Sequence, residues 1–370
     1  MVALAISRTG RGVRRQVEPI IDCEVHVVWR SLEEIERYLP RAWHRRLRRD
    51  PGMIRPNFYS PYRGYHPDAA RGPDGGPPGS DPQTVLRDWL DRQNIAYAVL
   101  SHYDLPVIST WGDMDYPAAL ARAYNDWLIE RWLAVDPRFL GSMIVATQDP
   151  EVAAQEIERV GTHPQIVQVL VASGTRVPYG VRTFHPIYAA AERLGLPVAI
   201  HTGTEGLGIA NPPTAAGWPS TYLEFYTCQP QNLAAHLTSL VTEGVFVKFP
   251  HLRIVFLEGG AAWAPPFLWR LDKNYKALRS ECPWLTDLPS VYVKRHFRFG
   301  THGLERPDDP APLWSFLRAL GAERLLLYGS NYPRWDLEAP QDTLVLQTAE
   351  APVRRRIAYE NARELYRLPA

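Results

Sequence analysis

The chain lacks several features that would assign it to a class at once. It has no excess of charge, with 41 Lys and Arg against 40 Asp and Glu and a formal net charge of +1, which argues against a nucleic-acid partner or an acidic membrane attracted by bulk electrostatics. Its three cysteines, Cys23, Cys228 and Cys282, form no CxxC motif, so neither a disulfide framework nor a cysteine zinc module is indicated. No run approaches the ~20 apolar residues of a membrane helix, and the N-terminal stretch has no signal-peptide core. We therefore expect a soluble, cytoplasmic protein.

What is present is an ordinary globular composition, with 45% hydrophobic and 22% charged residues in 370. Short apolar, β-branched runs predict eight strands, and eight is the number in a closed parallel barrel. Amphipathic stretches between several of them predict helices. The predicted strands are 19–25, 96–101, 139–147, 166–171, 197–201, 253–257, 296–300 and 324–329, and the predicted helices are 117–135, 150–160, 186–194, 231–244 and 311–320.

This alternation of strand and helix favours an α/β fold, a (β/α)8 TIM barrel, over a doubly wound open sheet. No GxGxxG follows the first strand and no P-loop is present, which also speaks against the open sheet. A segment rich in Pro, Gly, Tyr and Arg at 51–82 interrupts the rhythm after the first strand, and we expect it to distort the barrel as a lid or an oligomer contact over the active face. We predict an N-terminal extension at 1–18 and a single barrel domain at 19–370.

Polar side chains end several predicted strands, where barrel enzymes gather their catalytic groups. In the first strand Asp22, Glu24 and His26 alternate, so they can share one face. Each residue alone is weak support, because a polar strand end is commonly a surface residue. Together they predict a cluster with enough nitrogen and oxygen for a divalent ion. Its members are Glu24, His26, His201, Glu258 and Asn331.

Four stretches resemble the amidohydrolase superfamily, in the branch of aminocarboxymuconate-semialdehyde decarboxylase and γ-resorcylate decarboxylase. They are IIDCEVHV at 20–27, FHPIYAAAERLGLPVAIHTG at 184–203, FPHLRIVFLEGGAAWAPPFLWRLD at 249–272 and RLLLYGSNYPRWD at 324–336, with ENARELYRL near the C-terminus. The order and spacing of these stretches are specific, although no single motif is.

The resemblance implies one divalent metal ion, with Zn²⁺ expected first and Mn or Fe as alternatives. Glu24 and His26 match the family's acid-x-His ligand pair, and His201 matches its fifth-strand ligand. The fourth family ligand is an Asp on the eighth strand, where this chain has Asn331. An amide is a neutral ligand and cannot take a proton from water near neutral pH. We therefore expect metal binding to be weakened, or absent if Asn331 cannot serve as a ligand, and water activation to suffer most.

The sixth strand also departs from the decarboxylase pattern, because Glu258 stands where those enzymes carry a catalytic His. We predict Glu258, His201 and Asn331 as catalytic residues, with Glu258 as general acid or base; the alternative is a structural carboxylate at the Gly259-Gly260 turn. Arg334 replaces the His of the family's SDYPHWD pattern, and either meets a carboxylate substrate or pairs with Asp336. The further predicted substrate-binding residues are Trp218, Tyr222 and His302.

Three functions follow from this interpretation. The first is a metal-dependent carbon–carbon lyase, a decarboxylase of an aromatic or unsaturated carboxylate, because carbon protonation needs an acid rather than a water-activating base. The second is a metal-dependent hydrolase of an ester, lactone or amide. The third is a metal-free member that catalyses an acid–base rearrangement or cyclisation, or binds a metabolite. In each case we expect a small-molecule ligand, no nucleic acid or membrane, and a homodimer.

Overall fold

Eight parallel strands form one sheet in the order β1-β2-β3-β4-β5-β6-β7-β8. The computed structural model describes residues 18–49 and 64–369. The predicted extension, apart from residue 18, and the part of the insertion at 51–63 lie outside the described residues. The strands are β1 Ile20–Val27, β2 Ile95–His102, β3 Phe139–Ile144, β4 Ile166–Ala172, β5 Val198–His201, β6 Ile254–Leu257, β7 Phe297–Gly300 and β8 Leu326–Leu327. The predicted (β/α)8 barrel is confirmed.

Helices surround this sheet, and most predicted helices agree with the structure to within two residues at their first residue. The helices are α1 Leu32–Glu36, α2 Arg41–Arg49, α3 Pro82–Val85, α4 Asp115–Leu128, α5 Pro150–Val160, α6 His185–Leu194, α7 Tyr222–Thr242, α8 Val245–Lys248, α9 Ala264–Leu278, α10 Pro289–His296, α11 Pro310–Leu320, α12 Ala322–Leu325, α13 Leu344–Thr348, α14 Ala351–Arg355 and α15 Asn361–Tyr366. Wider π-type turns continue α3 and α4 and precede α15. None of the described helices is long and apolar enough to cross a membrane.

Helix α7 begins nine residues before its predicted start at 231. Thr221 and Glu224 explain this, because they form a capping box in which Glu224 N donates to Thr221 Oγ1 at 3.2 Å and Thr221 N donates to Glu224 Oε2 at 2.9 Å. Pro230 lies inside the helix and made the sequence pattern look interrupted there. The consequence is that the aromatic segment before Pro230 is helical and stands over the mouth of the barrel.

The eighth strand is much shorter than the predicted strand at 324–329. Residues Ala322–Leu325 form a helical turn, and the chain leaves the strand after Leu327. The barrel is instead closed by the segment that follows, since Cys23 N donates to Tyr328 O at 2.9 Å and His26 N donates to Tyr332 O at 2.6 Å. This closure carries the residues after β8 into the mouth of the barrel beside β1.

The described part of the insertion packs against this same mouth. His66 N donates to Pro333 O at 3.0 Å, and Trp335 N donates to Gly64 O at 3.1 Å. On the other side, Val28 N donates to Gly79 O at 2.9 Å. Residues 64–79 therefore border the carboxyl ends of β1 and the segment after β8.

Candidate metal centre and active site

Glu24 lies at the centre of the polar cluster that the strand ends create. Glu24 is 1% exposed, and neither of its carboxylate oxygens has a hydrogen-bond donor among the described residues. The nearest polar neighbour is His201, whose Nε2 lies 3.2 Å from Glu24 Oε1. Gly329 makes room for this carboxylate, because a Cβ at Gly329 would lie 2.9 Å from Glu24 Oε2. A buried carboxylate without donors is costly unless a cation completes it.

His26, two residues further along β1, joins the first and last strands of the barrel. Its Nε2 lies 2.7 Å from Asn331 Oδ1, and its Nδ1 lies 3.0 Å from Ser101 Oγ. Burial, together with the charges of His201 and Arg334, lowers the pKa of His26 well below its usual value. The ring is therefore neutral, as a metal-ligating imidazole must be.

His201 ends β5 with one ring nitrogen fixed by the backbone. Its Nδ1 donates to Thr202 O at 2.7 Å, which leaves Nε2 facing Glu24. A hydrogen bond from the ring nitrogen that does not bind the metal orients a metal-binding histidine. Burial alone would lower the pKa of His201, but the carboxylates of Glu258 and Glu24 outweigh it and raise the pKa to about 9. His201 is thus ready to exchange a proton for a metal ion.

Asn331 contacts four side chains through one amide, and one of them is His302, whose Nε2 lies 3.4 Å from Asn331 Nδ2. Its Nδ2 donates to Glu258 Oε1 at 2.6 Å and to Asp336 Oδ1 at 2.9 Å, while its Oδ1 faces His26. Both Asn331 and Glu258 have left-handed backbone conformations, with φ of 62° and 56°. Strained backbone of this kind clusters at functional sites.

Arg334 is buried beside Glu258 rather than paired with Asp336. Its side chain is 13% exposed, and its Nε lies 3.4 Å from Glu258 Oε1. The guanidinium carbon lies 4.8 Å from the centre of the Tyr103 ring, a cation–π contact. Burial alone would raise the pKa of Glu258, but Arg334 and then His201 outweigh it and lower the pKa to about 2. Glu258 is therefore a carboxylate in this arrangement.

An aromatic and acidic wall faces this pair. Tyr222 stacks on Tyr226 with ring centres 5.6 Å apart, and both rings contact Trp335. The Tyr226 hydroxyl donates to Asp336 Oδ2, and His302 Nε2 lies 3.7 Å from the same oxygen. Tyr222 and His302 thus lie beside this pair, and their role in substrate binding stays a prediction.

Trp218 differs from the other predicted substrate-binding residues. It is 66% exposed, and its ring lies over Gly206 in the loop after β5. A role for Trp218 in substrate binding stays a prediction.

Ser101 and Tyr103 also lie at the site, although neither was predicted from the sequence, and His102 lies between them. His102 faces the opposite way, with Nδ1 accepting from Asp104 N and its ring 4.0 Å from that of Trp29. Side chains alternate along a strand, so the residues on either side of His102 point to the opposite face from it. Extending the alternation of β2 to its last residues would have placed Ser101 and Tyr103 in the mouth.

Asp22 was expected to share the face of Glu24 and His26. In the structure it instead accepts hydrogen bonds that hold neighbouring segments together. Its Oδ1 accepts from Ser330 N at 3.0 Å and its Oδ2 accepts from Trp89 Nε1 at 3.0 Å. Asp22 therefore fixes the segment after β8 against β1.

The donor set fits a divalent metal ion. Ligand atoms of Glu24, His26, His201 and Glu258 all lie within 4.8 Å of one another, and all four residues are buried. Imidazole nitrogens and carboxylate oxygens are ligands that divalent transition metals prefer. The orphaned oxygens of Glu24 and the orphaned Nε2 of His201 are the atoms that such an ion would satisfy.

Comparison with known proteins gives relatives for this site and this barrel. A γ-resorcylate decarboxylase from Rhodococcus jostii (strain RHA1) is 26% identical over 307 residues, which is 78% of this chain and 88% of that protein. A 5-carboxyvanillate decarboxylase from Sphingomonas paucimobilis superposes with a TM-score of 0.67 at 25% identity, covering 95% of this chain and 99% of that one.

A 5-carboxyvanillate decarboxylase from Novosphingobium aromaticivorans, solved with manganese and 4-hydroxy-3-methoxy-5-nitrobenzoic acid, has a TM-score of 0.70 at 23% identity and covers 96% of this chain and 97% of that one. The sequence profile of the amidohydrolase family matches residues 21–368, nearly the whole chain. The chain therefore belongs to the amidohydrolase family, as its motifs predicted.

Proposed function

We propose that this chain is a metal-dependent decarboxylase of an aromatic carboxylate. The observation that carries the proposal is a buried cation, Arg334, between an aromatic wall and the cluster of Glu24, His26 and His201. A flat anionic ring would find its charge met by Arg334, which stacks on Tyr103, and one face met by Tyr222. The names of the relatives support the same reaction.

A divalent ion would be held by Glu24, His26 and His201, with the carbonyl oxygen of Asn331 or a carboxylate oxygen of Glu258 completing its shell. When bound, it would supply positive charge that orients an oxygen of the substrate and stabilises negative charge developing on the ring. Two imidazoles with oxygen ligands suit either Zn²⁺ or Mn²⁺. Because the Novosphingobium decarboxylase carries manganese, Mn²⁺ is the first ion to load and Zn²⁺ the second.

The reaction replaces CO₂ on carbon by a proton, so the site must handle one proton. Glu258 Oε1 already accepts from Asn331 and faces Arg334, so this carboxylate is arranged to accept a proton rather than to donate one. His302 stands beside it, with Asp336 as its carboxylate neighbour. We propose that protonated His302, beside Asp336, donates this proton to the ring carbon as CO₂ leaves, and that Glu258 then passes a proton from solvent back to His302, while Arg334 binds the substrate carboxylate.

The test is CO₂ release from a panel of hydroxylated benzoates by the Mn²⁺-loaded full chain. The panel includes 2,6-dihydroxybenzoate and 5-carboxyvanillate, the substrates after which the relatives are named. We expect release that His201→Ala abolishes and that His251→Ala, an exposed histidine, leaves unchanged. Absence of CO₂ release from every aromatic carboxylate by fully loaded protein would refute the proposal.

The two other functions are outcomes of the same experiment. Hydrolysis of esters or lactones, with a rate increase in Asn331→Asp, would indicate a hydrolase limited by its missing base. Elemental analysis of purified protein decides the metal-free alternative, because about one tightly held ion per chain, lost in His201→Ala, would exclude it.

We also propose a cytoplasmic homodimer. All three cysteines are free, with Cys23 buried, as suits a reducing compartment. Light scattering coupled to size exclusion would give twice the mass of 42.0 kDa, whereas a single chain mass would contradict the dimer.

A further inference from the structure

We infer that Asn331 is a positioning residue whose amino group holds Glu258 and Asp336 side by side, so that this site requires asparagine and not the aspartate of the family pattern. Asn331 is fully buried, and the Glu258 side chain is equally inaccessible. The Asp336 side chain is 10% exposed. The inference uses the proposed function only in treating these residues as the active site.

The orientation of the Asn331 amide follows from its neighbours. One end lies 2.6 Å from Glu258 Oε1 and 2.9 Å from Asp336 Oδ1. Carboxylate oxygens only accept hydrogen bonds when ionised, so this end must be the NH₂ group, with one hydrogen for each carboxylate. The opposite end is then the carbonyl oxygen, 2.7 Å from His26 Nε2. Every polar atom of the amide therefore has a defined partner.

An aspartate at position 331 would break this arrangement. It would place an oxygen where the amino group lies, at hydrogen-bond distance from two other carboxylate oxygens and with no proton between them. Three carboxylates would then face one another in a buried space. Arg334 is the cation beside Glu258. His302 Nε2 lies 3.4 Å from the Asn331 amino nitrogen but already donates to Asp336 O at 3.1 Å, so it does not replace the two hydrogens of the amino group.

The pattern of hydrogen bonds also predicts which second change would repair one of the two broken contacts. Asp336 uses Oδ2 to accept from the Tyr226 hydroxyl and Oδ1 to accept from Asn331. An asparagine at 336 would keep an oxygen for Tyr226 and present its amino group to an aspartate at 331. The double variant N331D/D336N therefore exchanges donor and acceptor across the contact between positions 331 and 336 and keeps the total charge, and it leaves the contact with Glu258 without a donor.

The experiment measures thermal unfolding and Mn²⁺-dependent turnover of the full chain for wild type, N331D, D336N and N331D/D336N. We expect N331D to lower the midpoint temperature by about 5 °C, because a buried charge-assisted contact is lost, and to reduce kcat by about 100-fold with a smaller change in KM. The double variant should recover part of both losses, because position 331 regains a donor from position 336 while its contact with Glu258 stays without one. N274D, at an exposed position of α9, is the matched control and should match wild type.

Each result decides the inference. Additive losses in the double variant, or an N331D protein with wild-type midpoint and kcat, would overturn it. If N331D alone does not fold, a soluble double variant supports the inference and an insoluble one contradicts it. The unfolding cycle needs no substrate, so it remains decisive even if the decarboxylase proposal fails.

Discussion

The buried pair of Arg334 and Glu258 gives the sharpest prediction for stability and substrate binding together. At 3.4 Å between Nε and Oε1, two unit charges attract by about 5 kcal/mol at an effective dielectric constant of about 20. Desolvation offsets part of this attraction, and removing one partner of a buried pair costs about 3–5 kcal/mol in practice. Because Asn331 also donates to Glu258, we expect Arg334→Met to lower the free energy of unfolding by about 3 kcal/mol.

The assay is urea unfolding of Arg334→Met, Glu258→Gln and the double variant, each with steady-state kinetics. Glu258→Gln should also destabilise, because it leaves Arg334 buried without a counter-charge. The double variant should recover to within about 1 kcal/mol of wild type, since replacing both charges removes the penalty. Turnover should not recover, because the double variant still lacks the cation for the substrate carboxylate.

Two results would refute this reasoning. Additive destabilisation in the double variant would mean that the two side chains are not energetically coupled. Recovery of both stability and turnover in the double variant would mean that Arg334 neutralises Glu258 but does not bind substrate. Arg334→Lys separates charge from shape, and we expect it to keep stability while raising KM, since lysine lacks the planar fork that stacks over Tyr103.

Three further predictions concern other parts of the barrel. Gly329→Ala should weaken Mn²⁺ binding at least about tenfold, measured by titration, because its Cβ would crowd Glu24; Gly300→Ala on β7, where a Cβ finds a nearest contact of 3.4 Å, should not. Burial lowers the pKa of His236 from 6.5 to about 4, so its neutral form stabilises the fold fully above pH 6.5, and up to about 3 kcal/mol is lost as pH falls towards 4. His236→Gln should flatten that acid loss in unfolding experiments, and an unchanged pH profile would contradict it. Tyr103→Leu should raise KM more than Tyr103→Phe, because only Leu removes the ring under Arg334.

Much of the barrel could be predicted because its strands are buried on both faces and appear as continuous apolar runs. The eighth strand was the exception. Leucines at 325–327 suit a strand or a helical turn equally, and it is the pairing of Leu326 and Leu327 with β7 that makes these two residues a strand after the turn that ends at Leu325. The helix start at Tyr222 was missed for a different reason, since Pro230 outweighed the capping box of Thr221 in the sequence pattern.

The residues that form the candidate site could be predicted from the sequence, but the contacts between their side chains could not. Strand ends located Glu24, His26, His201 and Glu258, and the structure places their ligand atoms within 4.8 Å of one another. These contacts depend on how the segment after β8 enters the barrel, and no local sequence pattern predicts that path. That path puts Arg334 against Glu258 instead of Asp336, and it gives Asp336 to Asn331 and Tyr226.

The three departures from the family pattern meet at one atom, and this explains why they occur together. Where the resembled pattern has Asp on the eighth strand, His on the sixth and His after the Pro, this chain has Asn331, Glu258 and Arg334. Glu258 Oε1 accepts from Asn331 at 2.6 Å and faces Arg334 at 3.4 Å. With neutral histidines the three residues of the family pattern carry a net charge of −1, whereas the net charge of the three residues here is zero. The carboxylate has moved from β8 to β6, and the added cation leaves the mouth better suited to an anion. Restoring any one family residue alone would leave a buried charge or a donor without its partner, so each single exchange should cost more stability than the exchange of all three together.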